Sequence, residues 1–91
     1  MNLVKHEVEN LGGNKMLIDL VKALEGIELD YTLVSLSRLD IKFDKFICVI
    51  TIKDVYSCYI IEEGEITDVA RFNTSQSVID FLTYYDLVLE G

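Results

Sequence analysis

Residues 46–61 read FICVITIKDVYSCYII and consist of two apolar runs separated by Lys53 and Asp54. Both runs are rich in the β-branched and aromatic residues that suit a pleated, half-buried surface. They therefore predict a β-hairpin at the centre of the fold. A two-residue turn would place Cys48 and Cys58 on opposite faces of the hairpin, whereas a three-residue connection centred on Lys53 would pair them directly. The sequence leaves this register open.

The segments that flank this hairpin also have the character of strands. Strand-like composition or alternation occupies three further ranges: 31–36, 41–44 and 65–72. Residues 37–40 between the first two are polar and are predicted to form a turn. Residues 62–64 form a second predicted turn, with Gly64 as the left-handed residue of a three-residue loop. These segments predict an antiparallel sheet of three to four strands.

Apolar residues recur at helical spacing on each side of the strand region. Two sets each fall on one helical face: Met16, Leu17, Leu20, Val21 and Leu24 in the first, and Val78, Phe81, Leu82 and Tyr85 in the second. The first set predicts a helix over 15–25, with Asn14 as its N-cap and Gly26 as the left-handed residue that ends it. The second predicts a helix over 75–87, capped within residues 73–75.

The order of these elements predicts an α+β fold with two layers, an antiparallel sheet flanked by an N-terminal and a C-terminal helix. Ninety-one residues are enough for one hydrophobic core, so residues 1–91 are expected to form a single domain. Residues 1–13 fit no clean period and are expected to form a short helix or an N-terminal arm. Both faces of the central hairpin are apolar. We therefore expect the arm, a second copy of the chain in a homodimer, or a target protein to cover the second face.

The charge of the chain bounds its partners. Sixteen Asp and Glu face eight Lys and Arg, a net charge of −8, although 51% of the residues are hydrophobic. This apolar content excludes a disordered acidic tail. Direct binding of nucleic acid is not expected, because it requires Lys and Arg to replace condensed counterions. The sequence has neither a membrane-span pattern nor a signal peptide's basic start and apolar run, which predicts a cytoplasmic protein.

No motif in the sequence points to catalysis, a metal or a cofactor. His6 is the sole histidine and matches no metal-site spacing, and Glu62, Glu63 and Glu65 lack the alternating ligands of a calcium loop. Cys48 and Cys58 are expected to be buried, reduced thiols. The protein is therefore predicted to be a non-enzymatic protein without cofactor or metal.

The carboxylates and surface tyrosines are the best candidates for contact with a partner. The predicted partner-binding residues are Asp54, Glu62, Glu63, Glu65, Asp68, Tyr56 and Tyr59. In size and charge the chain resembles phage-encoded inhibitors of host nucleases, including anti-CRISPR proteins that act as nucleic-acid mimics. This resemblance implies a protein partner, a nuclease or other nucleic-acid-binding protein, whose basic surface the carboxylates occupy. The alternative is a small regulatory or structural module whose acidity serves only solubility.

Overall fold

The computed structural model describes residues 15–90 of the backbone and the side chains of residues 15–88. The elements in chain order are helix α1 (Lys15–Gly26), strands β1 (Thr32–Ser35), β2 (Arg38–Lys42), β3 (Ile47–Ile52), β4 (Tyr56–Glu62) and β5 (Glu65–Phe72), helix α2 (Ser75–Tyr85), and a π-helical turn (Asp86–Glu90). Each strand pairs antiparallel with the next to give an open five-stranded meander. The predicted α+β class and antiparallel sheet are confirmed.

The sheet has five strands, so the prediction of three to four strands is wrong. All five strand-like segments pair in one sheet, and the turn predicted over residues 37–40 is shorter than expected, because only Leu36 and Ser37 turn and β2 already begins at Arg38. In β2 Leu39 faces the core, while Arg38 and Asp40 face outward and form an ion pair, Nε to Oδ1 at 2.9 Å. Charged residues suggested a turn here, but they are the outer half of a period-two alternation.

The central hairpin adopts neither of the two expected registers. Ile50 pairs with Cys58 and Cys48 pairs with Ile60, so residues 53–55 form a three-residue connection centred on Asp54. Both thiols therefore lie on the same face of the sheet, as diagonal neighbours. None of residues 53–55 has a positive φ angle. The longer loop thus spares Lys53 and Asp54 the left-handed conformations that a two-residue type I′ turn would require.

The core lies between one face of the sheet and both helices. Its buried members are Leu17, Leu20, Val21, Leu24, Tyr31, Leu39, Ile41, Phe46, Cys48, Ile50, Ile52, Tyr56, Cys58, Ile60, Val78, Ile79 and Leu82. We call the sheet face that contributes to this cluster the inner face, and the opposite one the outer face. Both helices cover the inner face, as the two-layer prediction requires.

The ends of the helices match the sequence only in part. Helix α1 ends in a Schellman arrangement, in which the amide of Leu29 donates to the carbonyl of Leu24 at 3.1 Å. The left-handed residue is Glu28, with φ 58°, so the prediction that Gly26 takes this role is wrong. Thr74 caps α2, as predicted, and its Oγ1 accepts from the amide of Ser77 at 3.2 Å.

Helix α2 is α-helical as far as Tyr85 and passes into the π-helical turn, where the sequence predicted an α-helix to residue 87. Asn14 and the expected arm, residues 1–13, lie outside the described residues. Within the described part of the chain, neither helix has the length and apolar composition needed to cross a membrane.

Candidate protein-binding site at the acidic end of the sheet

The turn between β4 and β5 gathers three glutamates. Glu62 and Glu65 are the last pair of the ladder, and Glu63 and Gly64 alone connect them. The φ angles of Glu63 and Gly64 are 53° and 81°, both left-handed, as in a type I′ turn. The expected three-residue loop is therefore wrong, while the left-handed Gly64 is confirmed. This two-residue turn fixes three carboxylates at one end of the sheet.

A bulge at Thr67 shapes the strand that leaves this turn. Ile61 pairs with Ile66, but Ile60 pairs with Asp68, so Thr67 is the extra residue. The Thr67 hydroxyl donates to Oε2 of Glu62 at 2.7 Å and holds that carboxylate in place. Because of the extra residue, Asp68 rather than Thr67 takes the inner-face position opposite Ile60.

We call the hairpin of β4 and β5, with Glu62, Glu63, Glu65 and Asp68, the acidic hairpin. Asp68 connects it to the C-terminal end of α2. The hydroxyl of Tyr85 donates to Oδ2 of Asp68, and the amide of Val69 donates to Oδ1 at 2.9 Å. Burial, followed by the hydrogen bond to Asp68 and its charge, raises the pKa of Tyr85 to about 12. The ring of Tyr85 also contacts Phe81, with centroids 4.9 Å apart, which anchors this end of the helix over the sheet.

An open groove of about 700 Å³ lies against this hairpin. It is lined by Lys45, Glu62, Glu63, Glu65 and Thr67. Three carboxylates and one ammonium give the lining a net negative charge. The groove can therefore accept a cationic group, while Lys45 breaks the uniformity of the negative surface.

The structure brings together only part of the predicted partner-binding set. Glu62, Glu63, Glu65 and Asp68 lie on one hairpin. Asp54 lies in the β3–β4 connection, at the other end of the sheet.

The two predicted tyrosines also lie elsewhere. Tyr56 is 2% exposed and its hydroxyl donates to the carbonyl of Met16 at 2.7 Å, so it belongs to the core. Tyr59 lies half-buried on the outer face, between Val49 and Val69. Sequence reasoning missed Tyr85, since the residue fitted the apolar helical stripe and nothing local indicated its contact with Asp68.

The outer face of the sheet carries a continuous apolar patch. Cross-strand pairing aligns its members in two rows: Val49, Tyr59 and Val69 in one, and Ile47, Ile61 and Ile66 in the other. We call these six residues the outer apolar patch. Ile66 is 60% exposed. Its pair with Ile61 is the ladder pair next to Glu62 and Glu65. The apolar second face predicted from the sequence is thus present and adjoins the acidic hairpin.

The charged strand residues on the outer face have the opposite sign to the molecule as a whole. Arg38, Lys42 and Arg71 flank the outer apolar patch, and Asp40 is paired with Arg38. Three cations and one carboxylate give these strand positions a net charge of +2, on a chain whose net charge is −8. The outer face is therefore a local region of positive charge on an acidic chain.

Neither thiol is poised for chemistry. Cys48 and Cys58 are buried and unbridged. The hydrogen bond with Cys58 and then burial raise the pKa of the Cys48 thiol, so it stays protonated near neutral pH. Within residues 15–90 no three His, Cys, Asp or Glu side chains are grouped as a metal site would require. No protein-family model, no curated protein and no solved structure matches the chain.

Proposed function

We propose that the protein is a non-enzymatic binding protein that occupies a basic, nucleic-acid-binding surface of another cytoplasmic protein. It would act as a nucleic-acid mimic and inhibitor, in the manner of phage anti-defence or anti-CRISPR proteins. The observation that supports this proposal most directly is the grouping of Glu62, Glu63, Glu65 and Asp68 on one hairpin beside an open groove.

The pairing of Glu62 with Glu65 holds two negative side chains close together. The Cβ atoms of directly opposed residues in an antiparallel pair lie about 5 Å apart, and Glu62 and Glu65 are such a pair. One strand of a duplex carries about one charge per 3.4 Å of axis. A basic groove that holds successive phosphates can therefore meet this pair with its Lys and Arg side chains.

The grouping of charge on the hairpin also favours a basic partner. The grouped charges repel one another, and a basic partner relieves this repulsion while steering the encounter. Ile61 and Ile66, one ladder position away, project from the opposite face of the sheet, so the carboxylates rather than an apolar surface carry the proposed contact.

The alternative is a small regulatory or structural module whose acidity serves only solubility. The carboxylates distant from the hairpin favour it, since Asp19, Glu28 and Asp30 are exposed on and after α1. Lys45 in the groove favours it too. The two proposals differ in one respect: only the mimic requires the hairpin carboxylates in particular.

Two variants with the same change of net charge distinguish them. The first is Glu62→Lys, Glu63→Lys and Glu65→Lys, and the control is Asp19→Lys, Glu28→Lys and Asp30→Lys. Each immobilised protein is incubated with lysate of the cell in which it acts, at about 0.05 M and about 0.5 M salt. Mass spectrometry identifies the retained proteins, and circular dichroism checks the fold of each variant.

The mimic predicts that wild type and control retain a nucleic-acid-binding protein at low salt, and that the hairpin variant loses it. Excess oligonucleotide should then release the captured protein, because both ligands use one basic surface. Equal retention by both variants, or no nucleic-acid-binding protein at all, would contradict the proposal. Capture that resists the oligonucleotide would contradict mimicry.

A further inference from the structure

A molecule that binds the outer face must match both the apolar patch and the charge of that face. Its six-residue outer apolar patch is flanked by Arg38, Lys42 and Arg71, with a net charge of +2 on the strand positions. A complementary surface would have an exposed apolar stripe and an acidic border. A second outer face does not meet this requirement, since face-to-face packing would bring like charges together.

The C-terminal end of the same chain carries such a stripe. Tyr84, Leu87 and Val88 are 59%, 69% and 57% exposed, and Leu87 and Val88 lie three and four residues after Tyr84, a spacing that places neighbours on one side of a helix. Asp80 and Asp86 border them and are also exposed. The sequence contains no Lys or Arg after Arg71. We call Tyr84, Leu87 and Val88 with these two carboxylates the C-terminal stripe.

We propose that the C-terminal stripe of one copy of the chain docks on the outer face of a second copy. Apolar side chains cover apolar side chains in this contact, and Asp80 and Asp86 approach the cations that flank the outer apolar patch. The contact is heterologous, because each copy offers two different surfaces. Copies can therefore add in succession, and the assembly grows with concentration beyond a dimer.

This inference is independent of the proposed function, because it makes no use of the carboxylates of the β4–β5 hairpin. Its physical basis is the pairing of two exposed apolar surfaces on one chain that have opposite borders of charge. Large exposed apolar patches mark interaction sites more often than free surface. Each patch here would be covered by the other.

Two variants that each disable one surface test the contact. The face variant combines Ile66→Thr with Arg71→Glu, and the stripe variant combines Leu87→Gln with Val88→Gln. Ile27→Gln, an exposed apolar residue outside both surfaces, is the control. Light scattering measures the mass of each protein from about 10 µM to about 1 mM, the range in which weak contacts become populated. Circular dichroism confirms that each variant is folded.

Wild type and control should exceed the 10.4 kDa monomer mass at high concentration, and each variant alone should remain a monomer. The loss in association constant should be about tenfold or more. An equimolar mixture of the two variants should form a 1:1 complex that does not grow, because one intact face meets one intact stripe.

A monomeric wild type would overturn the proposal, as would variants that associate as well as wild type. Variants that are monomeric both alone and in the mixture would show that one intact face and one intact stripe do not bind each other, and would overturn it equally. Association of the stripe variant alone would show a symmetric contact between outer faces and would also overturn it. Should a double variant unfold, Arg71→Glu and Val88→Gln alone provide the same mixing test.

Discussion

One substitution, Gly to Ala, should have opposite effects on stability at two positions of this chain. Gly26 is the last residue of α1, has no positive φ, and a Cβ built there meets no atom within 4 Å. Gly64 has φ 81° in the type I′ turn, and a Cβ there also meets nothing. Both sites therefore have room for a Cβ, and backbone conformation alone decides whether alanine stabilises or destabilises the protein.

The magnitudes follow from that difference. At Gly26 alanine improves helix propensity and restricts the unfolded chain, which should stabilise the protein by about 0.5–1 kcal/mol. At Gly64 the left-handed conformation costs an L-residue about 1–2 kcal/mol, and the restricted unfolded chain returns about half of that. Gly64→Ala should therefore destabilise the protein by about 1 kcal/mol, a large share of a total on the order of 5 kcal/mol.

Urea unfolding followed by circular dichroism measures both effects. With a slope of about 1 kcal/mol per M, the midpoint should rise by about 0.5 M or more in Gly26→Ala and fall by a similar amount in Gly64→Ala. Equal slopes in the three proteins would show that only stability has changed. Changes of the same sign at both positions would refute the assignment of the left-handed turn residue.

Three further predictions concern the turn, the tyrosine and the thiols. Glu63→Asn should raise the urea midpoint by about 0.5 M, because asparagine adopts the left-handed position more readily than glutamate. Tyr85→Phe should cost about 1 kcal/mol by loss of the bond to Asp68. Folding raises the pKa of Tyr85 from about 10 to about 12, so wild type should also lose stability as the pH rises from about 10 to 12. Urea titrations over this range should show that Tyr85→Phe lacks this part of the loss. Cys48 and Cys58 should resist a thiol reagent at about pH 8 until urea unfolds the chain; rapid labelling of the native protein would contradict their burial.

Most carboxylates of the acidic site could be grouped from the sequence, but Asp54 could not be excluded from the group. The sequence predicts that Glu62, Glu63 and Glu65 lie together, because they are local to one turn, and Asp68 follows on the same strand. Asp54 does not join them, since strand β4 separates the two turns and places it at the opposite end of the sheet.

The two tyrosines of β4 differ for a reason that the composition does not reveal. Tyr56 and Tyr59 are an odd number of positions apart and point to opposite faces, so only one is in the core. Which face each one takes depends on where the helices pack, and that is decided by contacts distant in sequence.

Local chemistry by itself determined the α+β class, the two helices, the cap at Thr74 and the left-handed Gly64. Propensity, period and capping act within a few residues, so these features are written in short segments. Tertiary structure decided the register of the central hairpin, the strand over Arg38–Lys42 and the bond between Asp68 and Tyr85. It also decided that Arg38, Lys42 and Arg71 border the outer apolar patch. These features depend on which residues become neighbours across strands and layers, and such neighbours are chosen by the packing of the whole core rather than by any one segment.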